Sequence, residues 1–365
     1  MSGPYSDTLS TNLGVASVPP LPLTWGGMSA EPSPSLRQSA SEARPMLSIT
    51  MPTRNRPALL SRALASVSRA VGPVADRLEL TVSDGSDDDA SGRVVNRFLA
   101  GWAGRHRYVR NDPPLPLVQN MNRAVELASG AWVMQLDDDD YLLPGAGAAM
   151  LDAIARTRPE EAVLLFGVDI VDAEGVRRRR QRFRREQFLG PAKALERLLR
   201  NSSFVREPAV VVRRAALEAE GLFDPLVGGA TDVDMWVRLF ARYGVRCLTS
   251  STCAYTVHEA AATTGMWNEA TIASLDEIFD RAAATGVVPE ATLRRWEADY
   301  LHQFILAGVY RRLRVRRRSE ARRVLRLFEL PEVRELGVSP KWWPVRVAFT
   351  GATTGATTGT RSDEI

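Results

Sequence analysis

The chain contains little cysteine and no long apolar run. Its two cysteines, Cys247 and Cys253, have no matching Cys or His pair, which excludes a disulfide scaffold and a zinc ribbon and fits a reducing cytosol. No apolar stretch reaches the about 18 residues of a membrane-spanning helix, so we expect no such helix. Hydrophobic residues make up 45% and charged residues 25% of the 365 residues, which is typical of a globular protein with a sizeable core.

Both ends of the chain differ in composition from the rest. Residues 1–44 are rich in Ser, Pro and Gly and lack the basic and apolar segments of a signal peptide, so we predict a disordered leader. Residues 347–365 contain a repeat of Gly, Ala and Thr, which predicts a low-complexity tail. We expect neither end to take part in the chemistry.

The net charge of +4 conceals two clusters of arginine. Seven arginines lie within Arg177–Arg185, where they suit an anionic ligand, an acidic membrane surface or plain solvation. Eight lie within Arg311–Arg323, interleaved with apolar residues as on an amphipathic helix with a solvated face. Trp342 and Trp343 suit a membrane interface or a packed C-terminal anchor. No nucleic-acid-binding motif accompanies the clusters, so we expect no nucleic-acid partner.

Short β-prone runs alternate with helical patterns in the first half of the chain. This alternation predicts an α/β fold with a mostly parallel sheet and right-handed crossovers. Asn55 and Pro57 mark a helix start, as an N-cap and as a proline in the first turn. We also predict a helix beginning near Asp232 and a helical region from about Asn268. The predicted strands are Met46–Met51, Leu78–Val82, Arg107–Val109, Ala131–Leu136, Ala162–Ile170 and Pro208–Val212.

Four consecutive aspartates, Asp137–Asp140, directly follow the fourth predicted strand, Ala131–Leu136. So many like charges repel one another unless a cation compensates them, and hard ions such as Mg²⁺ or Mn²⁺ favour carboxylate oxygens and substrate phosphates. An isolated acidic run is usually a solvated loop. The position at the carboxyl end of a strand favours a ligand site instead, because open α/β sheets bind ligands there.

Two further loops follow predicted strands and carry side chains suited to a nucleotide. They are Pro52-Thr53-Arg54-Asn55-Arg56-Pro57 and Ser83-Asp84-Gly85-Ser86. A carboxylate in the second loop is suited to accept the N3 hydrogen of uracil or thymine, although such loops are most often simple Asp/Ser turns. Neither loop contains the glycine pattern of a dinucleotide-binding fold or a P-loop, so those two classes have no support.

These motifs together resemble the family 2 inverting glycosyltransferases with the GT-A fold. The third motif is Asn-x-Asn-Arg-Ala-x-x-x-Ala-x-Gly, which begins at Asn120. The resemblance is strong over Pro45–Pro144 and weaker to His258. It implies a GT-A type nucleotide-diphospho-sugar transferase fold, with a mostly parallel central sheet flanked by helices. We expect a donor half at 45–144, an acceptor half at 145–262 and a helical C-terminal appendage at 263–346.

The resemblance also implies roles for single residues. Thr53 and Asp84 line the nucleobase site, Asp138 approaches the ribose, and Asp139 is the principal ligand of Mn²⁺ or Mg²⁺ on the donor diphosphate. The implied donor-binding residues are Pro52, Thr53, Arg54, Asn55, Asp84, Asn122, Asp137 and Asp138. The implied metal contacts are Asp139, Asp137 and His258.

Inversion at an anomeric carbon needs a general base that accepts the proton of the attacking hydroxyl. The family places an acid shortly before a helix that contains Trp, and Asp232, four residues before Trp236, is the best match. Many relatives have Glu where this chain has Thr231. Asp232 also suits a helix N-cap and Asp234 a charge in the first turn, so the choice of base between these two aspartates stays open.

We therefore expect a metal-dependent inverting glycosyltransferase that moves a sugar from a UDP- or dTDP-sugar to an acceptor hydroxyl. Glycan, cell-envelope and glycosylated-metabolite synthesis all fit, with an anionic or lipid-linked glycan as acceptor. We expect a cytoplasmic protein with peripheral contact to the inner face of a membrane. The alternatives are a non-catalytic binding protein that keeps this fold, and a nucleotidyltransferase, for which the loop after the first strand lacks the glycines. The oligomeric state stays open.

Overall fold

The computed structural model describes residues 45–257 and 265–354, which form one sheet covered by helices. In spatial order, eight strands run β3-β2-β1-β4-β9-β6-β10-β5, while β7 pairs with β6 and β8 pairs with β10. The strands are β1 Leu47–Thr53, β2 Leu78–Asp84, β3 Arg105–Arg110, β4 Trp132–Gln135, β5 Tyr141–Leu142, β6 Val163–Asp172, β7 Arg177–Gln181, β8 Gln187–Leu189, β9 Val210–Arg213 and β10 Val245–Val257.

Helices connect the strands and form the C-terminal region. The first seven are α1 Pro57–Val71, α2 Ala90–Leu99, α3 Leu117–Glu126, α4 Ala146–Ala155, α5 Pro191–Arg200, α6 Arg214–Glu220 and α7 Thr231–Tyr243. The C-terminal helices are α8 Glu269–Ala284, α9 Glu290–Arg314, α10 Arg318–Leu325, α11 Pro331–Glu335 and α12 Trp343–Thr354. None of the helices within the described ranges is both long and apolar enough to cross a membrane.

The sheet is parallel where the predicted donor half lies. β1 pairs in parallel with both β2 and β4, and β2 pairs in parallel with β3. Every residue of β1 and β2 is buried, as expected for central strands covered on both faces. Antiparallel pairs enter at β9, which lies between β4 and β6. The parallel register places Thr53 opposite Asp84, so the two predicted nucleotide loops leave the sheet at the same level.

The predicted cap of the first helix was wrong. α1 begins at Pro57, with the proline at its start as predicted, but Asn55 lies outside it in the left-handed region, with φ of 56°. Its side-chain Nδ2 donates to Asp87 Oδ2 at 2.6 Å, and its Oδ1 accepts from the backbone N of Asp87 at 3.0 Å. Asparagine tolerates this backbone conformation better than most residues, and here its amide joins the two nucleotide loops.

The C-terminal helices pack on one another. The rings of Tyr310 on α9 and Phe349 on α12 stack with centroids 6.4 Å apart, and Arg322 on α10 donates to the backbone oxygen of Thr353 at 2.5 Å. Because α12 runs to Thr354, the predicted start of a low-complexity tail at residue 347 falls inside a helix; residues 355–365 and the leader 1–44 lie outside the described residues. The predicted boundary at 262 also lies outside them, so this division stays a prediction.

Candidate active site

The carboxyl ends of β1, β2 and β4 bring the three predicted loops together. Thr53 Oγ1, at the end of β1, donates to Asp138 Oδ2 at 2.8 Å. Asp138 is only 4% exposed, and Arg56 Nη1 lies 3.2 Å from its other oxygen. The loop after β1 therefore contacts the aspartate turn directly, which is the arrangement that the order of motifs predicted.

Asp84 is fully buried and is held by two groups of the protein. Its Oδ1 accepts from the backbone N of Ser86 at 2.8 Å, and its Oδ2 accepts from the hydroxyl of Tyr108 at 2.9 Å. Burial, followed by the charge of Asp84, raises the pKa of Tyr108 well above its usual value. Each carboxylate oxygen can accept a second hydrogen bond, so Asp84 retains capacity for a ligand.

Asn120, which the residue assignments left out, joins the nucleotide loops instead of Asn122. Asn120 Nδ2 donates to the backbone oxygen of Thr53 at 3.0 Å, and Asn120 Oδ1 accepts from Ser83 Oγ at 2.7 Å. Asn122 is turned away: its amide forms two hydrogen bonds with the backbone of Phe223, at 2.8 and 3.0 Å. Residues two apart on a helix do not face the same side, so only one Asn of the motif reaches the loops.

The four aspartates are divided among different partners. Asp137 Oδ1 accepts from Gln135 Nε2 at 3.0 Å, whereas Asp140 Oδ1 accepts from the backbone N of Thr256 on β10 at 2.7 Å. Burial, then the charges of Asp139 and other acids, raises the pKa of Asp137 to about 7. Burial likewise raises the pKa of Asp140 well above its usual value. Asp140 thus attaches the aspartate turn to β10.

Arg56 is the cation that the sequence reasoning did not single out. Its Nη1 lies 3.2 Å from Asp138 Oδ1 and 3.4 Å from Asp139 Oδ2, so one guanidinium compensates part of the charge of the turn. The signal for it was its place in the first loop, directly before Pro57. Burial still raises the pKa of Asp138 above its usual value, which indicates that this compensation is incomplete.

The residues present fit a divalent cation that is completed by its substrate. The turn offers hard carboxylate oxygens, the donors that Mg²⁺ and Mn²⁺ prefer. Within residues 45–257 and 265–354, no three His, Cys, Asp or Glu side chains are gathered as a preformed metal site. An ion held by one or two carboxylates and by substrate phosphates needs no such group. His258, the third predicted metal contact, lies outside the described residues.

Asp232 and Asp234 have opposite environments although both lie in the first turn of α7. Asp234 is fully buried, with Oδ2 2.9 Å from Arg238 Nη2 and Oδ1 2.9 Å from Arg281 Nη1, so both its oxygens serve to attach α7 to its neighbours. Among the described residues, the Asp232 carboxylate is held by backbone N–H groups and not by a cationic side chain; its Oδ1 accepts from the adjacent backbone N of Val233 at 2.8 Å. Asp232 is inside the helix and not its N-cap, which is Ala230.

The acid–base properties of Asp232 suit a base. Burial raises its pKa to about 6, against the opposing effects of backbone hydrogen bonds and of Arg206. Besides burial and the neighbouring aspartates, the charge of Asp232 contributes to the raised pKa of Asp137, so the two carboxylates are within electrostatic range. Asp232 is therefore a candidate proton acceptor within electrostatic range of the aspartate turn.

The profile of the family described as Glycosyl transferase family 2 matches residues 48–221. The uncharacterized protein MT1568 of Mycobacterium tuberculosis is 30% identical over 239 residues, which cover 62% of this chain and 71% of that protein. The chain belongs to glycosyl transferase family 2. A second relative, the PGL/p-HBAD biosynthesis glycosyltransferase of Mycobacterium bovis, is 29% identical over 200 residues, covering 54% of this chain and 71% of that protein. The protein is accordingly a glycosyltransferase, which argues against the nucleotidyltransferase and the non-catalytic alternatives.

Solved structures share the fold of this chain. TarS 1–349 of S. aureus, in complex with UDP-GlcNAc, has a TM-score of 0.56 at 18% identity, covering 84% of this chain and 81% of that chain. The mannosyltransferase PcManGT from Pyrobaculum calidifontis, in complex with GDP-Man and Mn²⁺, has a TM-score of 0.52 at 17% identity, covering 86% and 87%. At such identities the likeness concerns the fold alone, and it confirms the GT-A type α/β fold that the motifs predicted.

In this family 2 protein, a second acid lies near Asp232 in space. Thr231, where many relatives have Glu, donates its hydroxyl to the backbone oxygen of Asp224 at 3.0 Å. Glu207, from the turn before β9, carries a buried Oε2 without a hydrogen-bond partner among the described residues. Burial, and then the charge of Asp232, raises the pKa of Glu207 well above its usual value. Nothing in the sequence pattern predicted that Glu207 and Asp232 lie close together.

Proposed function

We propose that this glycosyltransferase moves a sugar from a nucleoside-diphosphate donor, a UDP- or dTDP-sugar, to an acceptor hydroxyl with inversion at the anomeric carbon. The observation that carries the proposal is the contact of Thr53 with Asp138, which joins the loop after β1 to the aspartate turn, and Asp232 lies within electrostatic range of that turn. In a single displacement, the base and the departing diphosphate lie on opposite sides of the sugar. We assign the base to Asp232 and the binding of the departing diphosphate to the aspartate turn.

The donor would lie along the loops after β1 and β2. We assign the nucleobase of the donor to Thr53 and Asp84, since the carboxylate of Asp84 can accept the N3 hydrogen of uracil or thymine. Pro52 and Asn55 remain candidates for donor contact, and the side chain of Asn55 joins the first loop to Asp87. Arg54 lies on the exposed side of the loop, 3.5 Å from Asp87, and Asp138 remains our candidate for the ribose.

Asp139 and Asp137 would hold Mg²⁺ or Mn²⁺ on the donor diphosphate. The ion, when bound, would act as a Lewis acid that stabilises charge on the leaving diphosphate. Burial and the neighbouring acids disfavour the ionised form of Asp137, so a bound cation would relieve this cost. Arg56 contributes a second, permanent positive charge at the same turn.

Asp232 would accept the proton of the attacking hydroxyl as the new glycosidic bond forms. A pKa of about 6 leaves the carboxylate ionised at neutral pH, while it remains more basic than an ordinary aspartate. Asp234 does not fit this role, because Arg238 and Arg281 occupy both of its oxygens.

Hydrolysis of the donor, with water in place of the unidentified acceptor, tests the function. UDP-α-glucose and dTDP-α-glucose with Mn²⁺ should release the β-anomer first, as ¹H NMR detects before mutarotation. Asp232→Asn should bind UDP as the wild type does but lose roughly 10²- to 10⁴-fold in turnover. Asp152→Asn, an exposed acid of α4 paired with Arg156, is the matched control and should keep full activity. Undiminished turnover by Asp232→Asn would exclude Asp232 as the base.

We propose in addition that the C-terminal helices contact an anionic membrane from the cytoplasmic side. The exposed face of α12 carries Trp343 and Val347, each 51% exposed and one helical turn apart. Tyr310, 52% exposed, extends this face on α9, next to the arginines of Arg311–Arg323. We call this patch the C-terminal apolar surface. Apolar side chains beside basic ones are typical of helices that lie in a membrane interface.

A further inference from the structure

Arg206 is a partly buried cation near Asp232, the proposed base. Its Nε is buried and has no hydrogen-bond partner among the described residues, and no carboxylate of those residues lies within 4.0 Å of its guanidinium. Its guanidinium lies over the ring of Tyr255, 4.9 Å from the centroid. Burial lowers the pKa of Arg206, and the opposing effects of Tyr255 and Asp232 compensate only part of this cost. Buried charges are normally paired, so this side chain has the character of a ligand contact.

Arg179 on β7 is a second cation near Arg206. Its neighbours on the strand are paired with acids: Arg180 Nε lies 2.8 Å from Asp169, and Arg178 lies 2.5 Å from Asp172. Arg179 instead donates to the neutral Gln181, at 3.3 Å. After burial, the repulsion from Arg179 is a further cause of the lowered pKa of Arg206. Arg179 therefore adds a second positive charge near Arg206, and Tyr255 and Asp232 oppose the effects of burial and of Arg179 only in part.

Direct contacts hold β7 against the segment that contains Arg206. Gln181 Nε2 donates to the backbone oxygens of Ser203 and Phe204, at 2.9 and 3.0 Å. The rings of Phe183 and Phe204 meet edge to face, with centroids 5.8 Å apart. The arginine-rich strand is thus fixed two residues before Arg206 and is not a detached, solvated ribbon.

Arg206 lies near Asp232, the proposed base. The charge of Arg206 counteracts the effect of burial on the pKa of Asp232, so these two groups are within electrostatic range. The donor side has a separate cation, since Arg56 contacts Asp138 and Asp139. A ligand that reaches Arg206 would accordingly approach from where the acceptor hydroxyl has to enter.

We infer that Arg206 and Arg179 bind a phosphate group of the acceptor, next to the hydroxyl that attacks. A guanidinium matches two phosphate oxygens with two parallel N–H donors, and an anion would supply the partner that the buried Nε lacks. This inference rests on the proposed function, since it names the acceptor class of the same site. It assigns a function to part of the Arg177–Arg185 cluster, for which solvation was an equal alternative.

The test measures binding of methyl phosphate and dodecyl phosphate while UDP and Mn²⁺ saturate the donor site. Each ligand should raise the melting temperature of the wild-type protein, because it binds the native state. Arg206→Gln and Arg179→Gln should weaken this binding roughly tenfold or more. A clear preference for dodecyl phosphate over methyl phosphate assigns the phosphate to a lipid, and equal affinity assigns it to a soluble ester.

Two arginines serve as matched controls. Arg213 also has a buried, unpartnered Nε and lies over an aromatic ring, that of Trp132 at 4.6 Å, but it belongs to β9 and pairs with backbone oxygens near Glu161. Arg178 shares β7 with Arg179. Arg213→Gln and Arg178→Gln should keep the phosphate affinity of the wild type. The unliganded melting temperature of each variant reports whether it folds, and Arg206→Lys, which keeps the charge, should retain part of the binding.

Three outcomes separate the possible failures. If Arg206→Gln folds and binds phosphate as the wild type does, the inference is wrong. If Arg206→Gln changes only the pH dependence of donor hydrolysis, Arg206 tunes Asp232 and does not bind the acceptor, which also overturns it. If the wild type binds no UDP and hydrolyses no nucleotide sugar, the proposed function fails independently of the phosphate result.

Discussion

Thr53 Oγ1 donates a hydrogen bond to Asp138 Oδ2 over 2.8 Å and so joins the loop after β1 to the aspartate turn. Both side chains are buried, and the acceptor is a carboxylate. This one contact makes the proposed nucleotide loop and the aspartate turn parts of the same candidate site.

Replacing Thr53 with Val should therefore lower the free energy of unfolding by about 1.5–3 kcal/mol, because a buried charged acceptor loses its donor. Thr50→Val is the matched control: Thr50 Oγ1 donates to the neutral backbone oxygen of Met134, at 3.2 Å, and its loss should cost about 0.5–1.5 kcal/mol. Chemical denaturation of both variants makes the comparison. Equal losses would show that the charge of Asp138 does not matter to this contact.

Asp137→Asn should stabilise the unliganded protein at neutral pH. The pKa of Asp137 is raised to about 7 in the folded state, chiefly by burial, whereas an unfolded aspartate titrates near 3.8. A raised pKa favours folding only while the folded carboxyl stays protonated, so the wild type loses stability relative to the variant as pH rises between these values.

The gain from Asp137→Asn should therefore be small below pH 4. It should grow by up to about 1.4 kcal/mol per pH unit toward pH 7 and then level off. Urea denaturation at pH 4, 5.5, 7 and 8.5 measures this course. Asp152→Asn, which removes an exposed acid, should show no such rise. If the gain is constant over this pH range, ionisation of the buried Asp137 carboxyl is not what destabilises the wild type.

The sequence predicted the positions of the loops but not the direction of each side chain. Thr53, Asp84 and Asp137–Asp140 could be placed together because they follow parallel strands, whose carboxyl ends share one edge of the sheet. Asn120 and Asn122 could not be distinguished, since both lie in the motif. Residues two apart on a helix are rotated by about 200°, and only the tertiary packing decides which of them meets the loops.

Contacts between distant segments bring together residues that the sequence pattern does not connect. Glu207 and Asp232 belong to different elements, and their proximity arises only when β9 enters the sheet antiparallel between β4 and β6. Arg206 and Arg179 meet for a similar reason, through the attachment of β7 to the segment after α5. No periodicity or motif spacing carries such information.

Asp234→Asn should destabilise the protein, in contrast to the neighbouring Asp232→Asn. Asp234 is fully buried between Arg238 and Arg281, so removing its charge should cost about 3 kcal/mol or more of unfolding free energy. Asp232 is strained by burial, so its replacement should leave stability at pH 8 unchanged or raised. Thermal unfolding of the two variants compares them directly, and a loss of equal size in both would contradict their separate roles.

Asp139→Ala should abolish the dependence of UDP binding on metal. With Asp139 as the principal ligand, Mn²⁺ should increase the affinity of the wild type for UDP, and the variant should bind UDP equally with and without Mn²⁺. Isothermal titration at saturating Mn²⁺ and in EDTA measures the ratio. Asp140→Asn is the control from the same turn: Asp140 is engaged by the backbone N of Thr256, so this variant should keep the metal effect even if it loses stability. An undiminished metal effect in Asp139→Ala would assign the metal to other residues.

Val347→Asp should weaken binding to anionic vesicles. It places a charge on the C-terminal apolar surface, where Val347 is 51% exposed, so folding should be little affected while insertion into the lipid interface becomes unfavourable. The wild type should sediment with vesicles of phosphatidylcholine and phosphatidylglycerol more than with phosphatidylcholine alone, and high salt should reduce this binding. Val176→Asp is the matched control, since Val176 is 53% exposed beside the Arg177–Arg185 cluster. If Val176→Asp lost vesicle binding and Val347→Asp kept it, the membrane contact would belong to the β7 side of the protein and not to α12.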